Sequence, residues 1–250
     1  MSKLTIQIFI LQLLLNLAWV PTSSQERLEL EDIYHNGTYQ MKRFGQIRWM
    51  NDNNGYSTLE RNAQVDGFDI IRYEAESGER SVLVSANSLI PQGQSSPLSI
   101  RNYEWSNDNS KLLVFTNTRK VWRRHTRGDY WVLNLVNGEL SQLGKSIDRA
   151  TMMFAKFSPD DTRVAYVSKN NIYAEDIVTG KITQLTLDGS DRIINGTFDW
   201  VYEEELSCRD GFRWSPDGNQ IAYWQSDTKG LGTFYMINNV DSIYSTLIPL

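Results

Sequence analysis

The stretch Trp214-Ser-Pro-Asp-Gly-Asn-Gln-Ile-Ala-Tyr-Trp224 decides the fold, because it joins a tight turn to a strand. Proline fixes one backbone angle and glycine accepts a positive φ, so Ser-Pro-Asp-Gly predicts a hairpin turn. The β-branched and aromatic residues that follow are typical of a strand. This stretch therefore predicts two antiparallel strands joined by a short turn.

The same unit occurs four times, at intervals of about 50 to 60 residues. Each copy begins with an aromatic anchor, and later hairpins follow, as at Asn137-Gly138. This period is typical of propeller blades rather than of helical repeats. We therefore predict an all-β fold, a β-propeller of four-stranded antiparallel blades with the anchors in the core. The anchors are Trp49, Trp105, Phe157 and Trp214.

Composition limits the chemistry of the chain. Eight Trp and twelve Tyr in 250 residues indicate a packed fold. One Cys excludes an internal disulfide framework, and two His leave little room for a His-based metal site or a Ser-His-Asp set. The net charge of −5 argues against a nucleic-acid partner. We expect no cofactor, no metal and no nucleic acid.

The amino-terminal residues have the pattern of a secretory signal peptide, which we place at residues 1–24. Lys3 precedes an apolar run from Leu4 to Val20, and small residues follow before Gln25. Cleavage predicts an extracytoplasmic protein, periplasmic or secreted, and an uncleaved membrane anchor is the alternative. A lead-in segment at residues 25–44 and the propeller at residues 45–250 complete the predicted organisation.

The number of repeats bears on the extent of the propeller. Four repeats are present, whereas propellers contain about four to eight blades. The fourth repeat is unfinished, because a strand begins at Thr246 just before the last residue, Leu250. Proteins normally avoid the unpaired edge that this would leave. We expect the amino-terminal piece of a longer protein, and a four-bladed ring closed by residues 26–44 is the alternative.

The segment Asp199-Trp-Val-Tyr-Glu-Glu-Glu205 departs from the blade pattern, since three adjacent carboxylates do not favour a strand interior. One interpretation is a solvated acidic bulge. A second is a cation clamp for a protonated peptide amine, whose pKa is about 7.7 to 8.0. A third is a hard metal ion, although three side chains are few for calcium.

This acidic segment, together with the turn at residues 210–218, resembles the dipeptidyl peptidase IV family of prolyl peptidases. The likeness is to the N-terminal β-propeller of bacterial secreted members and covers about residues 27–250. The acidic segment is highly specific, whereas Ser-Pro-Asp-Gly repeats occur in many secreted propellers. Further matching segments are Leu30-Glu-Asp-Ile33, Trp122-Arg123 and Arg127-Gly-Asp-Tyr-Trp131.

The resemblance implies an eight-bladed propeller followed by a C-terminal α/β-hydrolase domain. Members of the family are serine exopeptidases that remove dipeptides from peptide N-termini. Their catalytic Ser, Asp and His belong to the hydrolase domain, and these 250 residues contain no Gly-x-Ser-x-Gly elbow. We therefore expect no catalytic residue here. The implied partners are peptides with a free amino terminus and the hydrolase domain of the same protein, and a homodimer is left open.

The resemblance also implies substrate-binding residues. Glu204 and Glu205 match the carboxylates that grip the substrate's amino terminus, and Arg123 matches an arginine that contacts a substrate carbonyl. The adjacent Arg124 leaves the choice between the two arginines open. Supporting roles fall to Trp200, Tyr202 and Glu203. The rival hypotheses are a non-enzymatic secreted propeller that binds a protein or peptide, and an inactive homologue of the family.

Overall fold

A computed structural model describes residues 28–41 and 45–249 of the chain, which divides into two compact units, residues 1–44 and 45–250. In the first unit a short helix, α1, spans Leu30–Tyr34 and buries none of its side chains. The predicted signal peptide lies outside the described residues. Among those that are described, no helix combines the length and the apolarity needed to cross a bilayer.

In the second unit the first three repeats each form a four-stranded antiparallel sheet, with the strands adjacent in chain order. These sheets confirm the predicted blades. Their strands are β1 Ile47–Trp49, β2 Gly55–Arg61, β3 Phe68–Glu74, β4 Arg80–Val84, β5 Asn102–Trp105, β6 Lys111–Val121, β7 Arg124–Asn134, β8 Leu140–Gln142, β9 Met153–Phe157, β10 Arg163–Ser168, β11 Asn171–Asp176 and β12 Ile182–Gln184.

The core lies between successive sheets. One cluster joins the first two sheets and contains Ile70 and Leu112, and a second joins the next pair through Phe115 and Tyr166. Phe212 of the fourth repeat completes a third cluster on the third sheet. Full burial of each such side chain contributes about 1.5 to 3 kcal/mol. The middle strands of the second and third repeats therefore each contribute to two interfaces.

The predicted turns form, and those of the second, third and fourth repeats share a bond from Ser to Asp. The Ser106 hydroxyl donates to Asp108 at 2.7 Å, and the Ser215 hydroxyl donates to Asp217 at 2.5 Å. The fourth residue after each anchor has a positive φ, which Gly, Asn and Asp tolerate better than other residues. This explains why glycine ends only one of the four turns. The positive-φ residues are Asn53, Asn109, Asp161 and Gly218.

The turns also bind their neighbours in the next repeat. The Asp161 carboxylate accepts the backbone N–H groups of Asn107 at 2.9 Å and of Asp108 at 3.0 Å. The Asn107 side chain donates to the Pro159 carbonyl at 3.0 Å. A continuous set of hydrogen bonds therefore links the second and third blades at one edge.

The prediction that all four anchors lie in the core was wrong for Trp49, which is 62% exposed. Within residues 45–249 no sheet precedes β1, so its indole has only an edge contact with Tyr56 at 5.9 Å. Trp105 shows the alternative arrangement, since its indole N–H donates to Ser57 of the preceding sheet at 2.9 Å. An anchor is thus covered by the repeat before it.

The fourth repeat, which the sequence predicts to be unfinished, does not form a four-stranded sheet. Trp224 interrupts the expected strand, because its N–H bonds to Gly211 while its carbonyl accepts from Gly196. The ladder therefore changes partner at this residue and separates into two-stranded sheets. The pairs are β13 Ile193–Asn195 with β16 Gln225–Asp227, β14 Phe212–Trp214 with β15 Ile221–Tyr223, and β17 Tyr235–Asn238 with β18 Thr246–Pro249.

Candidate functional site

The acidic segment folds as a two-turn helix, α2, at Trp200–Leu206 between β13 and β14. Asp199 caps its beginning, since the carboxylate accepts the Tyr202 N–H at 3.0 Å. Ser207 ends it in the left-handed region with φ of 55°, and the Cys208 N–H bonds to the Tyr202 carbonyl. The acidic segment is therefore a short helix fixed at both ends.

Aromatic side chains hold α2 against the strands. Tyr202 stacks on Phe198 with ring centroids 5.3 Å apart, and Trp224 lies 6.0 Å from Tyr202 and 5.6 Å from Phe198. Such contacts contribute about 0.5 to 1.5 kcal/mol each beyond area burial. Trp200 is instead half-exposed on the outer side of α2. Of the two aromatics predicted to support the site, Tyr202 packs in this cluster.

The three glutamates of α2 have three different environments, because successive helical residues point about 100° apart. Glu203 is buried, with Oε1 3.5 Å from Arg209 Nε. The Glu204 side chain is 14% exposed, and its Oε2 lies 3.3 Å from Arg123 Nε. Glu205 is exposed. Burial therefore increases from Glu205 through Glu204 to Glu203, and of the three only Glu205 is fully accessible to solvent.

Arg123 comes from a projecting hairpin, here called the arm, made of residues 116–127 at the far ends of β6 and β7. Within the arm these strands pair only with each other, as at Val121 and Arg124. The two-residue loop between them contains Trp122 with φ of 49°, a strained value for a non-glycine residue. Arg123 thus occupies the tip of the arm.

The structure brings Arg123 and Glu204 together and distinguishes Arg123 from its neighbour. Among residues 28–41 and 45–249, Arg124 makes no ion pair with any glutamate of α2. Arg123 and Glu204 are far apart in the sequence, and the arm places Arg123 next to Glu204. In the same described ranges, no three His, Cys, Asp or Glu side chains cluster as a metal site would require.

Asp129 holds the base of the arm, and its role was missed in the sequence. Its side chain is 1% exposed and accepts hydrogen bonds from Arg149 Nε and the Ala150 N–H, both at 2.6 Å. The Asn117 side chain donates to it at 2.8 Å. Asp129 belongs to the matching segment Arg127-Gly-Asp-Tyr-Trp131, which was the only available signal. Its contacts connect both arm strands to the segment before β9.

Residues 106–247 match the family described as the dipeptidyl peptidase IV (DPP IV) N-terminal region. That match includes the arm and α2. The chain belongs to the dipeptidyl peptidase IV family. The expected family and the expected N-terminal propeller region are therefore confirmed.

Other dipeptidyl peptidase IV relatives agree. Dipeptidyl aminopeptidase B of Saccharomyces cerevisiae is 30% identical over 220 residues, 85% of this chain and 26% of the relative. A putative dipeptidyl aminopeptidase of Schizosaccharomyces pombe is 28% identical over 77% of this chain and 24% of the relative. The crystal structure of Porphyromonas gingivalis dipeptidyl peptidase 4 matches with a TM-score of 0.73 and 27% identity, over 90% of this chain and 31% of that one. The chain thus spans about a quarter of the length of these curated relatives.

Proposed function

We propose that α2 and the tip of the arm bind the free amino terminus of a peptide, from which the complete protein removes an N-terminal dipeptide. The contact between Arg123 and Glu204 carries this proposal, because it places the two residue types that such binding needs side by side. The names of the relatives, dipeptidyl peptidases and aminopeptidases, agree with it. We assign the hydrolytic step to a C-terminal α/β-hydrolase domain of the same protein.

The electrostatics of α2 favour a bound ammonium group. Glu204 and Glu205 lie in its last turn, where the backbone carbonyls already carry partial negative charge. Carboxylates at this end repel the helix dipole, and a cation offsets that repulsion by about 0.3 to 1 kcal/mol. Charge-assisted hydrogen bonds to an ammonium contribute about 1.5 to 3 kcal/mol each. A peptide amine is mostly charged at neutral pH and meets this requirement.

Arg123 has a second role in the proposal. Its side chain is 76% exposed, so it can leave Glu204 when an ammonium group takes its place. The guanidinium then donates to a peptide carbonyl near the amino terminus. Holding the amine and the carbonyl together fixes the distance from the peptide end to the bond that is cut. This arrangement accounts for removal of a dipeptide.

The test is calorimetric titration of the full chain with peptides of one sequence, either with a free amine or acetylated. We expect acetylation, Glu204→Gln or Glu205→Gln to weaken binding at least about tenfold, as for one lost charge-assisted contact. Glu79→Gln, an exposed control, should bind as the parent does. Equal affinity for free and acetylated peptides would remove the amine clamp.

Hydrolysis and location require separate measurements on the complete gene product. We expect release of dipeptides from free but not acetylated peptides, and the glutamine variants should reduce kcat/KM at least about tenfold. Peptide binding without hydrolysis would favour the non-enzymatic propeller. We also propose an extracytoplasmic location, for which the mature N-terminus should begin near Gln25.

A further inference from the structure

A cavity of about 490 Å³ opens beside α2, between the arm, the residue before β5 and the segment that follows α2. Its charged lining is strongly positive, although the chain as a whole carries −5. One carboxylate, Asp210, faces four guanidinium groups across this lining. The four are those of Arg101, Arg124, Arg209 and Arg213.

Two of these arginines already have counter-ions. Asp210 binds Arg213 Nη1 at 2.8 Å and Lys156 Nζ at 2.5 Å, so its charge is fully used. Arg209 lies against the buried Glu203, with Nε 3.5 Å from Oε1. Neither carboxylate therefore remains to neutralise a further cation in this cavity.

Arg101 and Arg124 remain uncompensated. Within residues 28–41 and 45–249, neither side chain makes a hydrogen bond or an ion pair. Both are exposed and line the same cavity. A planar guanidinium suits a carboxylate because it can donate two parallel N–H bonds. Two free guanidinium groups in one concave site therefore favour a ligand that carries a carboxylate.

The cavity is connected to the amine site through one loop. Arg123 turns toward Glu204, while the next residue, Arg124, lines the cavity. The Ser207 and Cys208 residues that follow α2 also line it. One peptide can therefore contact both places.

We propose that this cavity binds a carboxylate of the bound peptide through Arg101 and Arg124. The carboxylate is either the C-terminus of a short peptide or an acidic side chain of a longer one. Preference for such peptides would follow from this chain's own residues. The proposal rests on the proposed function, since the same peptide places its amine at Glu204.

The experiment measures the affinity of the full chain for matched peptides of about three to six residues. Each added residue lengthens an extended peptide by about 3.3 to 3.6 Å, so the set covers a range of distances between amine and carboxylate. One peptide series compares a C-terminal acid with the C-terminal amide, and the other compares internal Glu with Gln. We expect the acid to bind about tenfold more tightly in at least one series, as for one bidentate contact. The series that responds identifies the source of the carboxylate.

Variants connect this preference to the cavity. The double variant Arg101→Gln/Arg124→Gln should lose the preference for the acid while still distinguishing free from acetylated amines. Arg119→Gln, an exposed arm residue that does not line the cavity, removes the same type of charge and should retain the preference. Thermal unfolding of each variant verifies that it is folded.

The outcomes separate the two proposals. Equal affinity for the acid and its neutral counterpart in both peptide series overturns the carboxylate site. A preference for the acid that survives the double variant overturns it as well. Loss of the acetylation effect with the acid preference intact overturns the amine clamp and leaves the carboxylate site supported. The variant Arg124→Lys should retain part of the preference for the acid, because the positive charge remains while the bidentate geometry is lost.

Discussion

Arg123 Nε lies 3.3 Å from Oε2 of Glu204, and the two side chains differ sharply in exposure, 76% for the arginine and 14% for the glutamate. The carboxylate is held by the packing of α2, whereas the guanidinium extends from the arm and is largely surrounded by solvent. An ion pair whose cation is this exposed to solvent contributes about 0 to 1 kcal/mol. The pair is therefore easily opened, and the glutamate stays in place when it opens.

Arg123→Gln should change stability little and binding strongly. We expect the free energy of unfolding in urea to fall by less than about 1 kcal/mol, because the guanidinium is exposed to solvent. Peptide affinity should fall about tenfold through loss of the proposed carbonyl contact. The control Arg61→Gln breaks the exposed pair with Asp66 and should leave affinity unchanged. Unaltered binding by Arg123→Gln would contradict the role given to the arm tip.

Asp129→Asn should loosen the arm. The buried carboxylate accepts three hydrogen bonds, one from Arg149, and asparagine cannot replace its charge. We expect the free energy of unfolding to fall by about 2 kcal/mol or more. Asp66→Asn, at a side chain that is 95% exposed, should cost less than about 0.5 kcal/mol. Similar losses in both variants would argue against a special role for Asp129.

Ser207→Gly should stabilise the end of α2. Ser207 has φ of 55°, a region that costs residues with a β-carbon about 1 to 2 kcal/mol. Part of this gain is offset because glycine is more disordered when unfolded, so we expect a rise of about 0.5 to 1 kcal/mol in chemical denaturation. Ser207→Ala keeps the β-carbon and serves as the control. A glycine variant less stable than the alanine variant would show that the turn is not strained.

Acid should remove the contribution of the Asp160 carboxylate to the turn of the third repeat. The Ser158 hydroxyl bond holds the pKa of Asp160 at about 2, below its ordinary 3.8. Since the folded state binds this proton less tightly than the unfolded state, the contribution is complete above pH 3.8. It is lost as the pH falls through about 2.

Urea denaturation between neutral pH and about pH 2 measures this effect. The stability difference between the parent and Asp160→Asn should shrink as the pH falls through that window. Ser158→Ala should lessen this pH dependence, because it removes the hydroxyl donor that lowers the pKa. A difference that is constant with pH would contradict the assignment.

Much of the fold was predictable because each turn is encoded within a few residues. An Asp or Pro-Asp pair and a residue that tolerates a positive φ specify the bend locally, with a Ser in three of the four turns. The strands after the bend follow from β-branched and aromatic residues. The environment of Trp49 was not predictable, because it depends on a neighbouring sheet. The change of partner at Trp224 likewise depends on two distant glycine backbones.

The candidate site was only partly accessible from the sequence. The carboxylates of Glu204 and Glu205 stand out as a run of charge, and Arg123 was reached through resemblance. Its approach to Glu204 depends on the length of the arm, which the pattern did not reveal, because Thr-rich strands with irregular pairing resemble a loop. The helical form of the acidic segment depends on the Asp199 cap and the aromatic packing beneath it.

The Asp161 carboxylate, which serves the turn before its own, means that these repeats are not interchangeable copies. Gly218 occupies the corresponding place in the fourth repeat and permits the same bend, but it has no carboxylate, and only its backbone carbonyl accepts from the third repeat, from Arg163 Nη2 at 2.8 Å. A variant with Gly at position 161 would keep the shape of its own turn and lose the two hydrogen bonds that the Asp161 carboxylate accepts from the second repeat. A substitution at position 161 therefore changes the stability of the contact with the second repeat as well as that of its own turn.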